Sequence, residues 1–174
     1  MSVLGEMRIE TDRLVIAVLE EGMAAAIQWQ SQDAATRQFL PDEVFDTIDE
    51  AQETVRELIG AYQSPDGPYV YAVMRRDGGF VGYVQLCRID GGWEIGYHIG
   101  EEHRGQEYAS ESVRAFLPVI MERLAVDRVW GIVDADNAAS CRVLEKCGFM
   151  LTEQGKGMYH GVRRFLKRYA YQLS

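Results

Sequence analysis

The sequence predicts a mixed α/β domain with a mostly antiparallel sheet. Two apolar, strand-like runs, "YVYAVMRR" and "FVGYVQLCRI", flank the turn "DGG", which is a strong hairpin signal. A second "DGG" leads into "WEIGYHIG", so three strands are expected to follow one another as a meander. Strand and helix patterns alternate in the second half of the chain, which is typical of strand–helix–strand crossovers.

One strand and two helices are predicted before the meander. The run 8–19, "RIETDRLVIAVL", is predicted to be a strand, in which Leu14, Ile16 and Val18 alternate with Arg13, Val15 and Ala17. The segment "MAAAIQWQSQ" indicates a short helix. "TIDEAQETVRELIGAYQS" indicates a longer helix, because its early acids suit the positive helix end and an apolar stripe follows.

A long helix is predicted after the meander, because apolar residues recur at helical spacing from Ala109 to Leu124. Pro118 lies inside this helix and removes one backbone hydrogen bond, so we expect a kink between Arg114 and Pro118. The order of elements is therefore β, α, α, three β, α, β, α, two β.

Four segments complete this order. "RVWGIVDA" is predicted to be a strand, and "NAASCRVLEKCGF" a helix that begins after Asn137 and ends at Gly148. "MLTEQ" and "RRFLKRYAYQL" are expected to form a closing strand pair, separated by "GKGMYHG".

Composition and charge exclude several classes of function. The 174 residues, 47% hydrophobic and 26% charged, suit a single domain over 1–174. No apolar run approaches the ~18 residues of a membrane span, and no signal layout is present, so we expect a cytoplasmic protein without membrane contact. The 3 cysteines and 3 histidines lack the spacing of disulfide or metal sites. The net charge of −9 argues against nucleic-acid binding and is compatible with a cationic substrate.

The stretch "EEHRGQEYASE" at 101–111 has the pattern of a loop that enters a helix and binds an anion. A helix start leaves about four N–H groups without intrahelical partners, and the helix dipole adds positive potential there. Gly105 allows the backbone to approach a ligand closely, and Arg104 offers a charged fork. On its own this signal is weak, and the sequence contains no nucleotide P-loop motif.

Two motifs in order resemble the GNAT acyltransferase superfamily. They are "EIGYHIGEEHRGQEYASESV" and "NAASCRVLEKCGF". More closely, the chain is similar to the branch that contains the ribosomal-protein N-terminal acetyltransferases and related small-amine acetyltransferases. The segment "IETDRLVI" resembles the opening strand of that branch. The resemblance spans residues 8–170. It implies a mixed, mostly antiparallel central sheet with a splayed central strand and flanking helices. It also implies acetyl-CoA as the donor and a primary amine, on a protein N-terminus or a small molecule, as the acceptor.

The resemblance further implies where acetyl-CoA binds. The splayed strand would offer its backbone to the pantetheine arm, the loop before the long helix would hold the pyrophosphate, and the last helix would flank the thioester. The cofactor-binding residues so implied are Tyr97, His98, Ile99, Arg104, Gly105, Gln106, Glu107, Tyr108, Ala109, Ser110, Asn137 and Ser140.

The sequence departs from the family pattern in three ways. Glu107 stands at the third glycine position of the phosphate loop, Ala17 and Val18 stand where the opening strand often ends in Arg-Pro, and Leu144 replaces a tyrosine that serves many members as general acid. We expect the Glu107 carboxylate to point to solvent, because it would repel a phosphate. Since φ is negative in a first helical turn, glutamate is also expected to be sterically acceptable there.

An acceptor amine must lose a proton before it attacks, so the site needs a base. Glu94 and His98 share one face of their strand and are both candidates, and the resemblance favours Glu94, acting through a water. Ser140 is a candidate acid for the leaving thiolate, and Asn137 a catalytic candidate beside it. The alternative for each is structural: a salt-bridged strand carboxylate, a satisfied buried histidine, and a helix hydroxyl bonded to backbone.

Two functions from different classes are compatible with the sequence. The first is an N-acetyltransferase that passes the acetyl group directly to the amine. The second is a non-catalytic acyl-CoA-binding or interaction module of the same fold, which the missing tyrosine and Glu107 motivate. The sequence leaves open the identity of the amine and whether the protein is a monomer or a homodimer.

Overall fold

The computed structural model describes residues 3–173. Eight strands form one sheet in the order β1-β2-β3-β4-β5-β6-β8-β7. They are β1 (Arg8–Glu10), β2 (Leu14–Val18), β3 (Tyr69–Arg75), β4 (Phe80–Ile89), β5 (Gly92–Ile99), β6 (Arg128–Asp134), β7 (Met150–Tyr159) and β8 (Val162–Gln172). All neighbours are antiparallel except β5 and β6. The predicted mixed, mostly antiparallel sheet is confirmed.

Helices flank the sheet. They are α1 (Ala24–Gln30), α2 (Ala34–Phe39), α3 (Ile48–Ala61), α4 (Tyr108–Leu124) and α5 (Ala138–Lys146), and short 3-10 turns span Val3–Glu6, Glu21–Met23, Pro41–Glu43 and Glu101–His103. Among the described residues, no helix combines the length and apolar character that crossing a bilayer requires.

Strand β3 shows how the sheet builds a core on each of its faces. Tyr69, Tyr71 and Val73 belong to the cluster that contains the buried side of α4. Val70 and Ala72 belong to the second cluster, with residues of α1 and α3. This division follows from the two-residue period of a strand, which sends successive side chains to opposite faces.

The chain opens with two strands where one was predicted over 8–19. Strands β1 and β2 pair antiparallel, and the turn between them is held by Thr11, whose hydroxyl accepts hydrogen bonds from the backbone N–H groups of Leu14 (2.9 Å) and Arg13 (3.3 Å). A side chain that hydrogen-bonds to the backbone of its own turn competes with strand pairing, and for this reason the strand is interrupted at Thr11.

Two further expectations were wrong. Helix α2 was not predicted, because its six residues are too few to show a period; the Asp33 side chain caps it by accepting from the Thr36 N–H at 3.2 Å. Strand β7 runs to Tyr159, so most of "GKGMYHG" is strand rather than a separating loop. The whole of "GKGMYHG" was expected to separate the two strands, but the tight turn is formed by His160 and Gly161.

Helix α4 continues through Pro118 as a single unbroken helix. The missing N–H of Pro118 therefore does not end the helix, whose buried residues on both sides of the proline, from Val113 to Met121, lie in the main core. Packing of this apolar face compensates for the lost backbone bond.

Helix α4 begins directly after Glu107, and the expected negative φ at Glu107 was wrong. Glu107 is the N-cap residue, with φ of 68° in the left-handed region. Glycine adopts this conformation without strain, whereas an L side chain does not. The glutamate therefore stands at a position where the backbone itself favours glycine.

Strands β5 and β6 meet at one point and then diverge. Glu94 and Trp130 form the only β5–β6 pair among the described residues. Strand β4 pairs with β5 from Gly92 to Ile99, and β8 pairs with β6 along its whole length. The central strand β5 is thus splayed as predicted, and its backbone beyond Glu94 faces an open wedge.

A first prediction concerns Gly82, where β4 lies against β5. A Cβ at this position would lie 1.9 Å from the His98 carbonyl oxygen, so Gly82→Ala must displace one of the two strands. We expect the free energy of unfolding in urea to fall by ~1–3 kcal/mol. Gly155→Ala is the matched control, because a Cβ there meets no heavy atom within 4 Å. Equal urea midpoints for the two variants would contradict the close approach.

A second prediction concerns Glu107. Glu107→Gly relieves the left-handed strain and is expected to raise the melting temperature of the free protein. Glu107→Ala removes the same carboxylate but keeps a Cβ at positive φ, so it should give no increase. If both variants shift the melting temperature alike, the effect comes from the carboxylate and not from the backbone.

Candidate functional site

A cavity of about 620 Å³ lies where β5 and β6 diverge. Nearly all of the residues predicted from the sequence line it. They are Glu94, Tyr97, His98, Ile99, Arg104, Gly105, Glu107, Tyr108, Ala109, Ser110, Asn137 and Ser140. Gln106 lies outside this lining, and its carbonyl instead accepts a hydrogen bond from Arg13 at 2.8 Å.

The loop before α4 has the features of an anion-binding turn. The backbone N–H groups of residues 105–108 donate to no acceptor in the part of the chain described. Gly105 has φ of 78°, and a Cβ built on it would meet no atom within 4 Å, so the space beside the loop is open. Free N–H groups at a helix start fit a phosphate, and the loop therefore suits the pyrophosphate of a coenzyme.

The Arg104 side chain forms hydrogen bonds with β5 and with the start of α2. Its Nε donates to the Ile99 carbonyl at 2.9 Å, and one terminal nitrogen binds Asp33 at 2.9 Å. The predicted charged fork is therefore engaged on two of its nitrogens. It joins the loop to β5 and to the first turn of α2, while phosphate binding by Arg104 stays a prediction.

The Glu107 carboxylate points to the surface, where it meets Lys146 of α5 at 2.5 Å. The hydrogen bond from Lys146 and its charge hold the pKa of Glu107 below its usual value. The side chain of Glu107 is 57% exposed, so solvent and Lys146 screen its charge from the loop.

Glu94 is a mostly buried carboxyl at the point of divergence. Burial raises its pKa to about 7, against the opposing effect of a hydrogen bond from the Tyr159 hydroxyl, which lies 3.0 Å from Oε2. The nearby charge on Glu43 raises the pKa further. A carboxyl poised near neutrality can both accept and release a proton under ordinary conditions.

His98 is a packed, uncharged histidine. Its Nε2 lies 2.7 Å from the Thr36 hydroxyl, and its ring stacks on Tyr83. Burial, together with the positive charge of Arg104, lowers the pKa of His98 to about 4. The structural interpretation of His98 agrees with this placement, and Glu94 is the better placed base.

Tyr97, Ser140 and Asn137 form a connected group on the other side of β5. The Tyr97 hydroxyl lies 2.7 Å from the Ser140 hydroxyl and donates to the Ser140 carbonyl at 3.1 Å. Asn137 caps α5 by accepting from the Ser140 N–H at 3.2 Å. Because Glu94 and Tyr97 are three residues apart on one strand, they project to opposite faces of the sheet.

Leu144 fills its position in the core by apolar packing. It is buried and lies against Gly131 of β6, where any Cβ would come within 2.9 Å of the leucine methyls. The position at which the resemblance implies a tyrosine is therefore filled by apolar packing, and Tyr97 supplies the hydroxyl that lies near Ser140.

The sequence did not single out Tyr159, Glu43 or Tyr83. Tyr159 was placed in a loop, although the alternation along β7 carries a weak strand signal. Glu43 accepts a hydrogen bond from the Tyr83 hydroxyl at 2.7 Å, across 40 residues of sequence. The fold also brings donor atoms of Asp42, Glu43 and His160 within 4.8 Å of one another, a grouping that no spacing in the sequence announces.

Comparison with known proteins places this geometry in a family. Residues 13–150 match the family described as the acetyltransferase (GNAT) domain. YoaA of Bacillus subtilis, an uncharacterized N-acetyltransferase, is 31% identical over 169 residues, which cover 94% of this chain and 88% of YoaA.

Two solved structures share the fold. A GNAT-family acetyltransferase from Bacillus anthracis superposes with a TM-score of 0.82 at 23% identity, over 95% of this chain and 98% of that one. RimL, a ribosomal L7/L12 α-N-protein acetyltransferase solved with coenzyme A, gives a TM-score of 0.84 at 21% identity, over 96% and 98%. The chain belongs to the GNAT acetyltransferase family and is an acetyltransferase.

Proposed function

We propose that the protein transfers an acetyl group directly from acetyl-CoA to a primary amine, on a small molecule or a protein N-terminus. One observation carries the proposal. A carboxyl with a pKa near neutrality and a pair of hydroxyls lie on opposite faces of β5, at the wedge where β5 leaves β6. A base on one face and an acid on the other suit a displacement that passes through the wedge.

Residues along the wedge suit coenzyme A. The backbone of Tyr97, His98 and Ile99 has no β6 partner and would hold the pantetheine arm, and the N–H groups of residues 105–108 would hold the pyrophosphate. When bound, acetyl-CoA supplies an acyl thioester, which is open to attack by an amine. The unpaired backbone N–H groups of β5 would stabilise negative charge that develops on the acyl oxygen.

Glu94 would act as the general base. An ammonium group cannot attack, because its nitrogen lone pair is bonded to a proton. The Glu94 carboxylate would take that proton, directly or through a water, as the nitrogen forms its bond to the acyl carbon. Tyr159 would orient the carboxylate, because its hydroxyl binds Oε2 and leaves Oε1 for the amine.

Ser140 would act as the general acid. When the carbon–sulfur bond breaks, the sulfur takes up a proton, and the Ser140 hydroxyl is the nearest candidate donor on that face. Tyr97 can replace that proton through its 2.7 Å hydrogen bond to Ser140. Asn137 would hold the first turn of α5 in place through its cap and would present its amide to the cavity.

Two neighbours support an amine as the acceptor. RimL is named for acetylation of the α-amino group of ribosomal L7/L12. A second solved acetyltransferase, from Salmonella typhimurium, is described as modifying the N-terminal serine of L7/L12. These statements hold for those proteins, and they support a primary amine as the acceptor class for this one.

The first test of this function replaces the base. Glu94→Gln keeps the shape and the hydrogen bond from Tyr159, but it cannot accept a proton. We expect kcat to fall by ~10²–10⁴ across a panel of amines and peptides, while the acetyl-CoA dissociation constant, measured by calorimetry, stays unchanged. Acetyl-CoA binding without turnover by the wild type on any acceptor would instead support the non-catalytic acyl-CoA-binding module.

The dependence of activity on pH follows from the same residue. Because burial raises the pKa of Glu94 to about 7, the carboxyl is protonated below that pH and cannot act as a base. We expect kcat to rise with pH through a limb centred near 7 and then to level. Absence of this limb in the wild type, or its persistence in residual activity of Glu94→Gln, would assign the ionisation to another group.

A further test separates the acid from its partner. Ser140→Ala should lower kcat more than Tyr97→Phe does, because the serine is the proposed donor and the tyrosine only its proton source. We expect a ~10–100-fold loss for Ser140→Ala, measured with a saturating amine. A larger loss for Tyr97→Phe would make the tyrosine the acid.

A further inference from the structure

Two carboxyl groups in the cavity are held in the same way. Glu43 accepts a hydrogen bond at Oε1 from the Tyr83 hydroxyl at 2.7 Å, and Glu94 accepts one at Oε2 from Tyr159 at 3.0 Å. The second oxygen of each carboxyl receives no hydrogen bond from any described residue, and neither is sealed from the cavity. Each tyrosine therefore fixes its carboxyl and leaves one oxygen for a ligand.

No described lysine or arginine forms an ion pair with Glu43 or Glu94, although the charges of His160 and Arg168 reach Glu94. Arg88 is among the residues that line the cavity, but it pairs across the strands with Trp93 and its guanidinium lies over that ring. His160 contacts Asp42, and its Nδ1 is 4.0 Å from Glu43, beyond hydrogen-bond distance. Two carboxyls in one cavity without such partners fit a ligand with two positive charges.

The reacting nitrogen can use only one of these carboxyls. It must lose its proton to attack, and a second carboxylate beside it would stabilise the protonated form. A carboxylate is useful beside a nitrogen that stays charged throughout the reaction. Glu94 is the proposed base for the first nitrogen, which leaves Glu43 for the second.

The lining near the two carboxyls has a polar floor and an apolar wall. On β4 and β5 the cross-strand pairs along this face are Tyr83 with His98, Gln85 with Gly96, and Cys87 with Glu94. The Gln85 side chain lies over Gly96 and fills the middle of this floor, because a Cβ at Gly96 would lie 2.7 Å from Gln85 Nε2. Phe39 and Leu40 supply the apolar wall from the α2 side, against which a short hydrocarbon spacer can lie.

Contacts of α2 and the following 3-10 turn with the β7–β8 hairpin close this end of the cavity. His160 bonds to Asp42, and Arg164 bonds to the carbonyl of Gln38. Arg164 also binds Asp134 at 2.7 Å, which fixes the hairpin to β6. These contacts limit the length of an acceptor that is bound entirely within the cavity.

We propose that Glu43 binds a second, non-reacting ammonium group of the acceptor, so that the preferred substrates are small straight-chain diamines. The inference rests on the proposed function and narrows its substrate class. Glu43 is a specificity-determining residue in this view, and Tyr83 positions it.

The test compares a four-carbon diamine with the five-carbon monoamine of matched length. Wild type should show a kcat/KM for the diamine that is ~10-fold or more above that for the monoamine. Glu43→Gln, which keeps the size and the hydrogen bond from Tyr83, should remove this preference by raising KM for the diamine alone. Glu53→Gln is the control, because Glu53 is exposed on α3 and does not line the cavity, and it should keep the preference.

Several results would overturn the inference. One is a wild type with equal kcat/KM for the diamine and the monoamine. Another is a Glu43→Gln variant in which kcat/KM falls equally for both amines. The third is a wild type whose kcat/KM is higher for a peptide N-terminus beside a lysine than for the diamine. Calorimetric titration of the diamine into wild type and Glu43→Gln gives a readout without turnover. Diamine binding that depends on Glu43, with no acetylation of any amine, would overturn the transferase function and leave the diamine site standing.

Discussion

The divergence of β5 from β6 after the single Glu94–Trp130 pair is the constraint on which the site depends. Each strand is held on its other edge, β5 by β4 and β6 by β8, so the wedge is built into the pairing of two half-sheets. Gly131 lets Leu144 and Ile95 approach β6 closely at the base of the wedge. Tyr97 joins β5 to the first turn of α5 across it. An unpaired strand edge in the middle of a sheet is costly unless a ligand, a side chain or water satisfies it, which makes the wedge a candidate binding site.

Charge is distributed along the cavity in two parts. Near the loop before α4, Glu107 offsets the charge of Lys146 and Asp33 offsets that of Arg104, whereas Glu43 and Glu94 line the cavity without a described lysine or arginine ion pair. A protein with a net charge of −9 can still offer a phosphate the free N–H groups of a helix start, where the helix dipole supplies local positive potential. In the proposed function, Glu43 and Glu94 would attract a cationic amine to the face of β5 on which Glu94 lies. The burial that raises the pKa of Glu94 to about 7 would allow it to serve as the proposed base near neutral pH.

Local patterns predicted the elements that build the site, but not the contacts between them. The meander, the cap at Asn137 and the turn at Gly148 follow from two-residue periods and turn residues, and they were confirmed. The turn at Thr11, the helix after Asp33 and the strand through Gly155 were missed, because each depends on a single side-chain bond or on tertiary pairing that overrides local preference. Tyr159 and Glu43 reach the cavity from distant segments, and no local pattern records that approach. The positive φ of Glu107 was missed because the helix was expected to begin before this residue instead of after it.

Hydrogen exchange of backbone amides, measured with and without acetyl-CoA, tests the central claim most directly. If the wedge and the adjoining loop bind the coenzyme, protection should concentrate in the second half of β5 and in residues 105–108, where the N–H groups lack partners. Protection confined to other segments, or none at saturating acetyl-CoA, would contradict the assignment of this wedge as the coenzyme site.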